Sequence, residues 1–203
     1  MLTAKNKRIL IIASVAALAV ILVVTLWWYP AVKDINQRYP SYTVNEIARG
    51  GTANINEISL TAENLRFYSI QDFQKNFFNS DTADSIMSDV FKSFVVNDTE
   101  VALVDYNITY NGDWQATPGE IIDEYIIYLQ SGFLSFTYDM LFLSYVNNRD
   151  EIPRTLNAGD SFKVTLPYFI SKEENGIKSL DELTQKGISA VVNYYTGRYF
   201  IQL

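Results

Sequence analysis

The chain of 203 residues contains no cysteine and no histidine. Without cysteine there is no disulfide, no thiolate nucleophile, no Cys-ligated metal and no lipoprotein-type cysteine anchor. Without histidine the usual general base and the commonest zinc ligand are missing. An enzyme built from this sequence would have to work with carboxylates, Lys, Tyr, Ser or Thr. Basic charge is also scarce after the opening segment. Three of the 16 Lys and Arg (Lys5, Lys7, Arg8) lie in the first eight residues, whereas all 23 acidic residues lie beyond residue 30. Residues 31–203 therefore carry 13 basic against 23 acidic groups, a formal charge of −10. A domain that acidic is repelled by nucleic acid, so no nucleic-acid partner is expected.

What is present begins with an apolar run. Ile9 to Trp28 contains no charged residue, and its only polar members are Ser14 and Thr25. As a helix it reaches about 30 Å, the thickness of a hydrocarbon core. A signal-peptide core is shorter and ends in small residues. The nearest match to such an end, Ala17-Leu18-Ala19, lies in mid-run, and cleavage there would leave Val20–Val24 exposed. The run instead closes on Trp27, Trp28 and Tyr29, amphipathic rings suited to a membrane interface, and Pro30 stops the helix. Lys5, Lys7 and Arg8 place the N-terminus in the cytoplasm by the positive-inside rule. The expected organisation is a cytoplasmic tail over 1–8, an uncleaved transmembrane signal-anchor helix over 9–29, a stalk over 30–40, and an extracytoplasmic domain over 41–203. Its interface residues are Lys5, Lys7, Arg8, Trp27, Trp28 and Tyr29, and the lipid bilayer is the partner of residues 9–29. The expected location is the plasma membrane, single-pass, with the C-terminal domain outside.

From Ser41 the text turns to short alternating segments. Tyr42, Val44 and Ile47 suggest a first strand, followed by a turn at Gly50-Gly51. The stretch from Asn56 to Ile70 reads as strand, with Ile58, Leu60 and Ala62 on one face. Between Glu100 and Tyr110, Val101, Leu103, Asp105, Asn107 and Thr109 alternate with Ala102, Val104, Tyr106, Ile108 and Tyr110, and Asn111-Gly112-Asp113 supplies a turn. Residues 125–148 look like two β segments broken around Ser131-Gly132, residues 160–170 like another. Residues 187–203 look like two more, turned near Thr196-Gly197. Ala83, Ile86, Met87, Val90, Phe91 and Phe94 follow helical spacing. A second helix is predicted from the capping box Ser179 to Glu182, with Gly187 after its last turn. Ile121, Ile122, Tyr125, Ile126 and Leu129 fit either helix or strand. Seven or so short strands predict a mainly β fold, an antiparallel sandwich with one or two short helical insertions.

The sequence LNAGDSFKVTLPYFISKEE and the closing AVVNYYTGRYFIQL, behind an N-terminal anchor, resemble poorly characterised surface proteins of Gram-positive bacteria. The resemblance rests on Ala158-Gly159-Asp160 before a strand, on the strand through Leu166-Pro167-Tyr168, and on the final strand. It implies an immunoglobulin-like β-sandwich domain displayed outside the cell, and no catalytic residues. The absence of disulfides suits such a source.

Candidate chemistry is sparse. The adjacent carboxylates Asp123-Glu124, Asp150-Glu151, Glu173-Glu174 and Asp181-Glu182 would point to opposite faces of a strand, so adjacency makes no acid–base pair. Asn79-Ser80-Asp81-Thr82-Ala83-Asp84 offers oxygen ligands but lacks the glycine and closing glutamate of a calcium loop, and reads more simply as a helix cap at Asp81 or Thr82. Asn97-Asp98-Thr99 and Asn107-Ile108-Thr109 match an N-glycosylation pattern that a bacterial source would leave unmodified. Ser161 and Thr165 each share a strand face with Lys163 but have no oxyanion signature. The tyrosines Tyr106/Tyr110, Tyr125/Tyr128 and Tyr194/Tyr195/Tyr199 are either a partner-binding surface or half-buried packing, and packing is the simpler reading. No catalytic, cofactor-binding or metal-binding residue is singled out, and no cofactor is expected. The expected function is a non-enzymatic binding or interaction module engaging another protein or envelope component. The alternatives are an accessory subunit whose helix packs through Ala13, Ala16, Ala17 and Ala19, and a carboxylate-dependent envelope hydrolase.

Overall fold

The alternating segment becomes the spine of the domain. Thr99–Tyr110 forms strand β4, whose Ala102, Val104, Tyr106, Ile108 and Tyr110 all point into one core. The computed structural model describes residues 43–78, 85–96, 98–148, 152–194 and 197–203. Within them are nine strands: β1 (Thr43–Ile47), β2 (Thr52–Ile55), β3 (Ile58–Ser69), β4, β5 (Ile126–Ser131), β6 (Leu134–Thr137), β7 (Ser161–Ser171), β8 (Ser189–Tyr194) and β9 (Gly197–Gln202). Six short helices join them: α1 (Ile70–Phe77), α2 (Ser85–Val96), α3 (Pro118–Tyr125), α4 (Met140–Val146), α5 (Lys172–Asn175) and α6 (Leu180–Gln185). The expected anchor 9–29, its interface residues Lys5, Lys7, Arg8, Trp27, Trp28 and Tyr29, and the stalk 30–40 lie outside the described residues. Among the described residues no helix is long and apolar enough to cross a membrane.

The strands form two sheets, one of five in the order β1-β9-β8-β5-β6 and one of four in the order β2-β3-β4-β7. Inward residues of both sheets share one core: Leu60, Val104, Tyr106, Leu166 and Tyr168 from the four-stranded sheet, Leu129, Ala190, Val192 and Ile201 from the other, with Ile121 and Tyr125 of α3. The fold is thus a mainly β, two-sheet sandwich with a few short helices, the architecture that opposed apolar sheet faces favour. Two buried tyrosines meet in it, with Tyr106 Oη and Tyr168 Oη 2.8 Å apart. Mutual hydrogen bonding is what makes two buried hydroxyls tolerable there.

The sequence expectations need four corrections. The sandwich is not wholly antiparallel, because β1 runs parallel to β9 from Thr43↔Gly197 to Ile47↔Ile201. Gly197 permits that approach, since a Cβ there would lie 2.8 Å from Thr43 Oγ1. Met140–Val146 is helix rather than strand: Asp139 caps it by accepting from Leu141 N–H (2.9 Å), and only Phe142 on it is fully buried. The strand beginning at Ile58 gives way at Ile70 to helix α1, where Ser69 Oγ accepts from Asp72 N–H (3.1 Å). The ambiguous stretch at 121–129 is both, helix α3 passing directly into strand β5.

The fourth correction concerns the capping box. Ser179 is fully extended and its side chain makes no cap bond. The Glu182 carboxylate instead accepts from the Lys186 ammonium (2.8 Å), the main cause of its lowered pKa, and from Lys178 N–H (3.3 Å), which lowers it further. A reciprocal box does form at α3, where Glu120 Oε2 accepts from Thr117 N–H (2.8 Å) and Thr117 Oγ1 from Glu120 N–H (3.3 Å). The helix predicted through Phe91 and Phe94 is α2, while the loop 79–84 with its cap residues Asp81 and Thr82 lies outside the described residues.

Candidate functional site

The outer face of the four-stranded sheet carries the candidate site. Side chains alternate across a strand, so β4 presents Val101, Leu103, Asp105, Asn107 and Thr109 on this face. Strand register places Glu63 and Thr165 beside Asp105, and Thr61 and Lys163 beside Asn107. At one end the face is covered by α1, α2 and α4, whose Phe73, Phe91 and Phe142, with Phe78 just after α1, are buried against Val101 and Leu103. Phe169 of β7 completes that layer, its ring centroid 4.6 Å from both Phe94 and Phe142. At the other end the face is open.

A β-bulge sits at the boundary. Between Glu63 and Arg66, β3 advances three residues while β4 advances two. One extra residue is thereby inserted, with Asn64 in a left-handed conformation (φ 50°). The insertion flips the alternation of β3. Leu60 and Ala62 point inward before it, and Leu65 and Phe67 pack on the same core after it. Arg66 and Tyr68 therefore join Glu63 on the outer face, which a regular strand would deny them.

The bulge residues converge on Asp105. Its Oδ1 accepts from Arg66 Nη2 (2.6 Å) and from Thr165 Oγ1 (2.7 Å), and its Oδ2 accepts from Asn64 Nδ2 (3.2 Å). Beside it, Asn147 at the end of α4 acts as a substitute strand partner for β7. Its Nδ2 donates to Thr165 O (2.7 Å) and Leu143 O (2.8 Å), and its Oδ1 accepts from Thr165 N–H (2.7 Å). A little further along, Asp139 N–H donates to Pro167 O (2.9 Å). The edge of β7 beside the site is consequently occupied.

These groups enclose a groove of about 330 Å³ lined by Glu63, Asn64, Arg66, Asp105, Asn107 and Lys163, with Tyr68, Phe77, Leu103 and Val146 as its apolar wall. The volume is near the small end of ligand sites, about 300–1,000 Å³. Its floor is fixed by the Asp105 network. On its rim Glu63, Asn107 and Lys163 make no side-chain hydrogen bond or ion pair among the described residues. The groove thus holds two basic and two acidic side chains, with an acceptor, a donor and an amide left uncommitted.

The other candidates from the sequence are dispersed. Asp123, on α3, accepts from Tyr138 Oη (2.9 Å). Glu173-Glu174 and Asp181-Glu182 occupy the first turns of α5 and α6, where carboxylates suit the helix dipole. Asp150, Glu151 and Asn97 lie outside the described residues. Among the described residues no three acidic side chains gather to hold a metal. Ser161 Oγ lies 2.8 Å from Thr109 Oγ1, and Thr165 Oγ1 donates to Asp105, so neither hydroxyl is paired with Lys163. Tyr106, Tyr110 and Tyr125 are fully buried, and burial raises the pKa of Tyr106. Of the groove residues, sequence reasoning singled out only Asn107, Lys163 and Thr165, each for another reason. The readable signal was the odd face of β4, apolar at Val101 and Leu103 and polar from Asp105 onward. The bulge was marked only by the change of apolar parity from Leu60 and Ala62 to Leu65 and Phe67, and nothing announced the reach of Asn147.

No protein-family model matches the chain, and no curated protein sequence matches it. Solved structures that match the chain include the following two. One is an uncharacterized beta-sandwich protein from Clostridium difficile 630, with a TM-score of 0.46 and 10% identity, covering 80% of this chain and 96% of the other. The second is a functionally unknown protein from Listeria monocytogenes EGD-e, with a TM-score of 0.38 and 11% identity, covering 69% and 70%. Neither carries an activity to this chain.

Proposed function

We propose that the chain is a membrane-tethered, extracytoplasmic, non-enzymatic binding module of a Gram-positive cell envelope, and that the outer-face groove is its contact surface. The observation that carries this reading is a groove whose floor is locked by hydrogen bonds while its rim side chains are uncommitted. That arrangement is suited to receiving a ligand, because the floor loses little freedom on binding. It is poorly suited to hydrolysis, since Asp105 is held by three donors and only Glu63 remains as an open carboxylate.

Tethering is supported by the uncharged run Ile9–Trp28, its flanking Lys5, Lys7 and Arg8, and the aromatic collar Trp27, Trp28 and Tyr29. An immunoglobulin-like arrangement is supported by strand order. The run β5-β8-β9 facing the β4-β7 pair follows the order of the C-F-G and B-E strands of that fold. β3 beside β4 falls where strand A of that fold lies, while β2 beyond it and the helices over the outer face depart from the simple pattern.

Cell fractionation tests the tether: one full-length species is expected in the membrane fraction, digested by protease added outside intact cells. A shorter soluble species would overturn it. Retention of envelope material on the immobilised full chain tests the module. A Glu63→Ala/Lys163→Ala variant is expected to lose most of that material, and undiminished retention would remove the groove from the reading.

A further inference from the structure

From the groove's chemistry we infer the class of its ligand: an uncharged, N-acetylated glycan strand. This rests on the reading of the groove as a binding surface. Three observations select the class.

The first is charge. Arg66 and Lys163 are balanced in the groove by Glu63 and Asp105, and residues 31–203 carry a formal charge of −10. A polyanion such as a phosphate-linked polymer meets no net attraction in the groove and repulsion around it. The second is the strand edge. A peptide added to β7 would need the main-chain groups of Thr165 and Pro167. Thr165 N–H and C=O are both taken by Asn147, and Pro167 C=O by Asp139 N–H. Strand addition beside the groove is thereby closed.

The third is the match between rim and ligand. Glu63 accepts hydrogen bonds, Lys163 donates them, and Asn107 does both. An acetamido sugar offers hydroxyl donors and acceptors together with an amide that pairs with Asn107. Glu63 and Lys163 stand on strands two apart and two residues out of step. Strand spacing of about 4.8 Å and a rise of about 3.4 Å per residue put their backbones roughly 12 Å apart. That span suits sugar rings laid across the sheet. Tyr68 and Phe77, half-buried and in edge contact (5.7 Å), supply an apolar wall for a ring's C–H face.

The test is titration of the full chain in lipid nanodiscs with the β-1,4-linked tetramer of N-acetylglucosamine, followed by calorimetry and hydrogen exchange. Saturable binding is expected, with slowed exchange in β3, β4 and β7 around Arg66, Asp105 and Thr165. Asn107→Ala and Lys163→Ala, both on the outer sheet face, are each expected to weaken it at least five-fold. Phe133→Ser, at the hairpin tip of the other sheet, is expected to leave it unchanged. The same titration with poly(glycerol phosphate) and with tetraalanine provides the contrast. Binding of either of these at the groove, with none of the tetramer, overturns the glycan inference and keeps the groove as a binding surface. If none of the three slows exchange there, and the Glu63→Ala/Lys163→Ala variant retains envelope material as well as the natural chain, both readings fall.

Discussion

The outer face of the four-stranded sheet is carried along its whole length by β3, β4 and β7, yet its two ends are different environments. At one end Tyr68, Val101, Leu103 and Phe169 lie under a layer of phenylalanines from α1, α2 and α4. At the other, Thr61, Asn107, Lys163 and Ser161 face water or line an open groove. The strand backbone is alike at both ends, so the difference lies in what folds back over it. Three helices too short to be stable alone are held by packing their aromatic sides on the sheet. Where they stop, β4 changes from Leu103 to Asp105, and the bulge in β3 turns Arg66 towards that carboxylate. The dry end is packed and the wet end is open to solvent.

The largest expected effect comes from opening the dry end. Phe142 is fully buried and lies within 6.0 Å, ring to ring, of Phe73, Phe78, Phe91, Phe94 and Phe169. Phe142→Ala is expected to cost about 3–5 kcal/mol, read from the urea-unfolding midpoint of the full chain in detergent. A loss under about 1 kcal/mol would mean that the helical layer adds little and that the two ends are energetically alike.

At the boundary, Asn147→Ala removes three hydrogen bonds and uncovers the β7 edge. About 1–3 kcal/mol is expected, with faster exchange at Thr165 N–H. An uncovered edge also invites pairing with another chain, so concentration-dependent association is expected alongside. Unaltered exchange at Thr165 would show that the amide clamp does not protect the strand.

In the groove floor, Asp105→Asn keeps the shape but weakens the bond to Arg66. The pair is partly exposed, with side chains 43% and 26% accessible, so about 1 kcal/mol is expected. The floor would also loosen, showing as faster exchange in β3 beyond Asn64. A fall as large as that for Phe142→Ala would make the wet end part of the stabilising core.

How far the sequence reveals this contrast depends on the physical range of each signal. The alternation in β4 is local and strong, and it correctly separates Ala102, Val104, Tyr106, Ile108 and Tyr110 as one inward row. The helical spacing through Phe91 and Phe94 was likewise readable. The segment Met140–Val146 was not, because Met140, Leu141 and Tyr145 are apolar yet exposed, which erases the period that would mark a helix. The bulge after Glu63 left only a faint mark, the shift of apolar positions from Leu60 and Ala62 to Leu65 and Phe67 around Asn64, a residue that tolerates positive φ. Asn147 matters only through Thr165, eighteen positions away, a relation set by tertiary packing alone. The sandwich was therefore legible from single strands, and the groove was not, because it is made where elements meet.

The smallest effect tests charge at the far end of the same strands. The Lys172 ammonium, following β7, lies 3.0 Å from Asp98 Oδ2 and 3.3 Å from Glu100 Oε1. The hydrogen bond to Asp98 raises its pKa above the ordinary 10.5, burial opposes this, and Glu100 adds to it. A value raised on folding contributes stability that is fully present below the unfolded value and is lost as pH rises through the folded one. Lys172→Met is thus expected to lower stability at pH 8 by less than about 1 kcal/mol, because Asp98 is largely exposed. The gap between the two proteins should close above the Lys172 pKa. Both curves will fall together there, because burial also raises the pKa of Tyr106 and Tyr168, which then disfavour the folded state as unfolded tyrosines ionise near pH 10. The informative quantity is the difference between the curves. A difference that persists undiminished at pH 12 would assign Lys172 to packing of its aliphatic stem, and the charge would then contribute nothing to that end of the sheet.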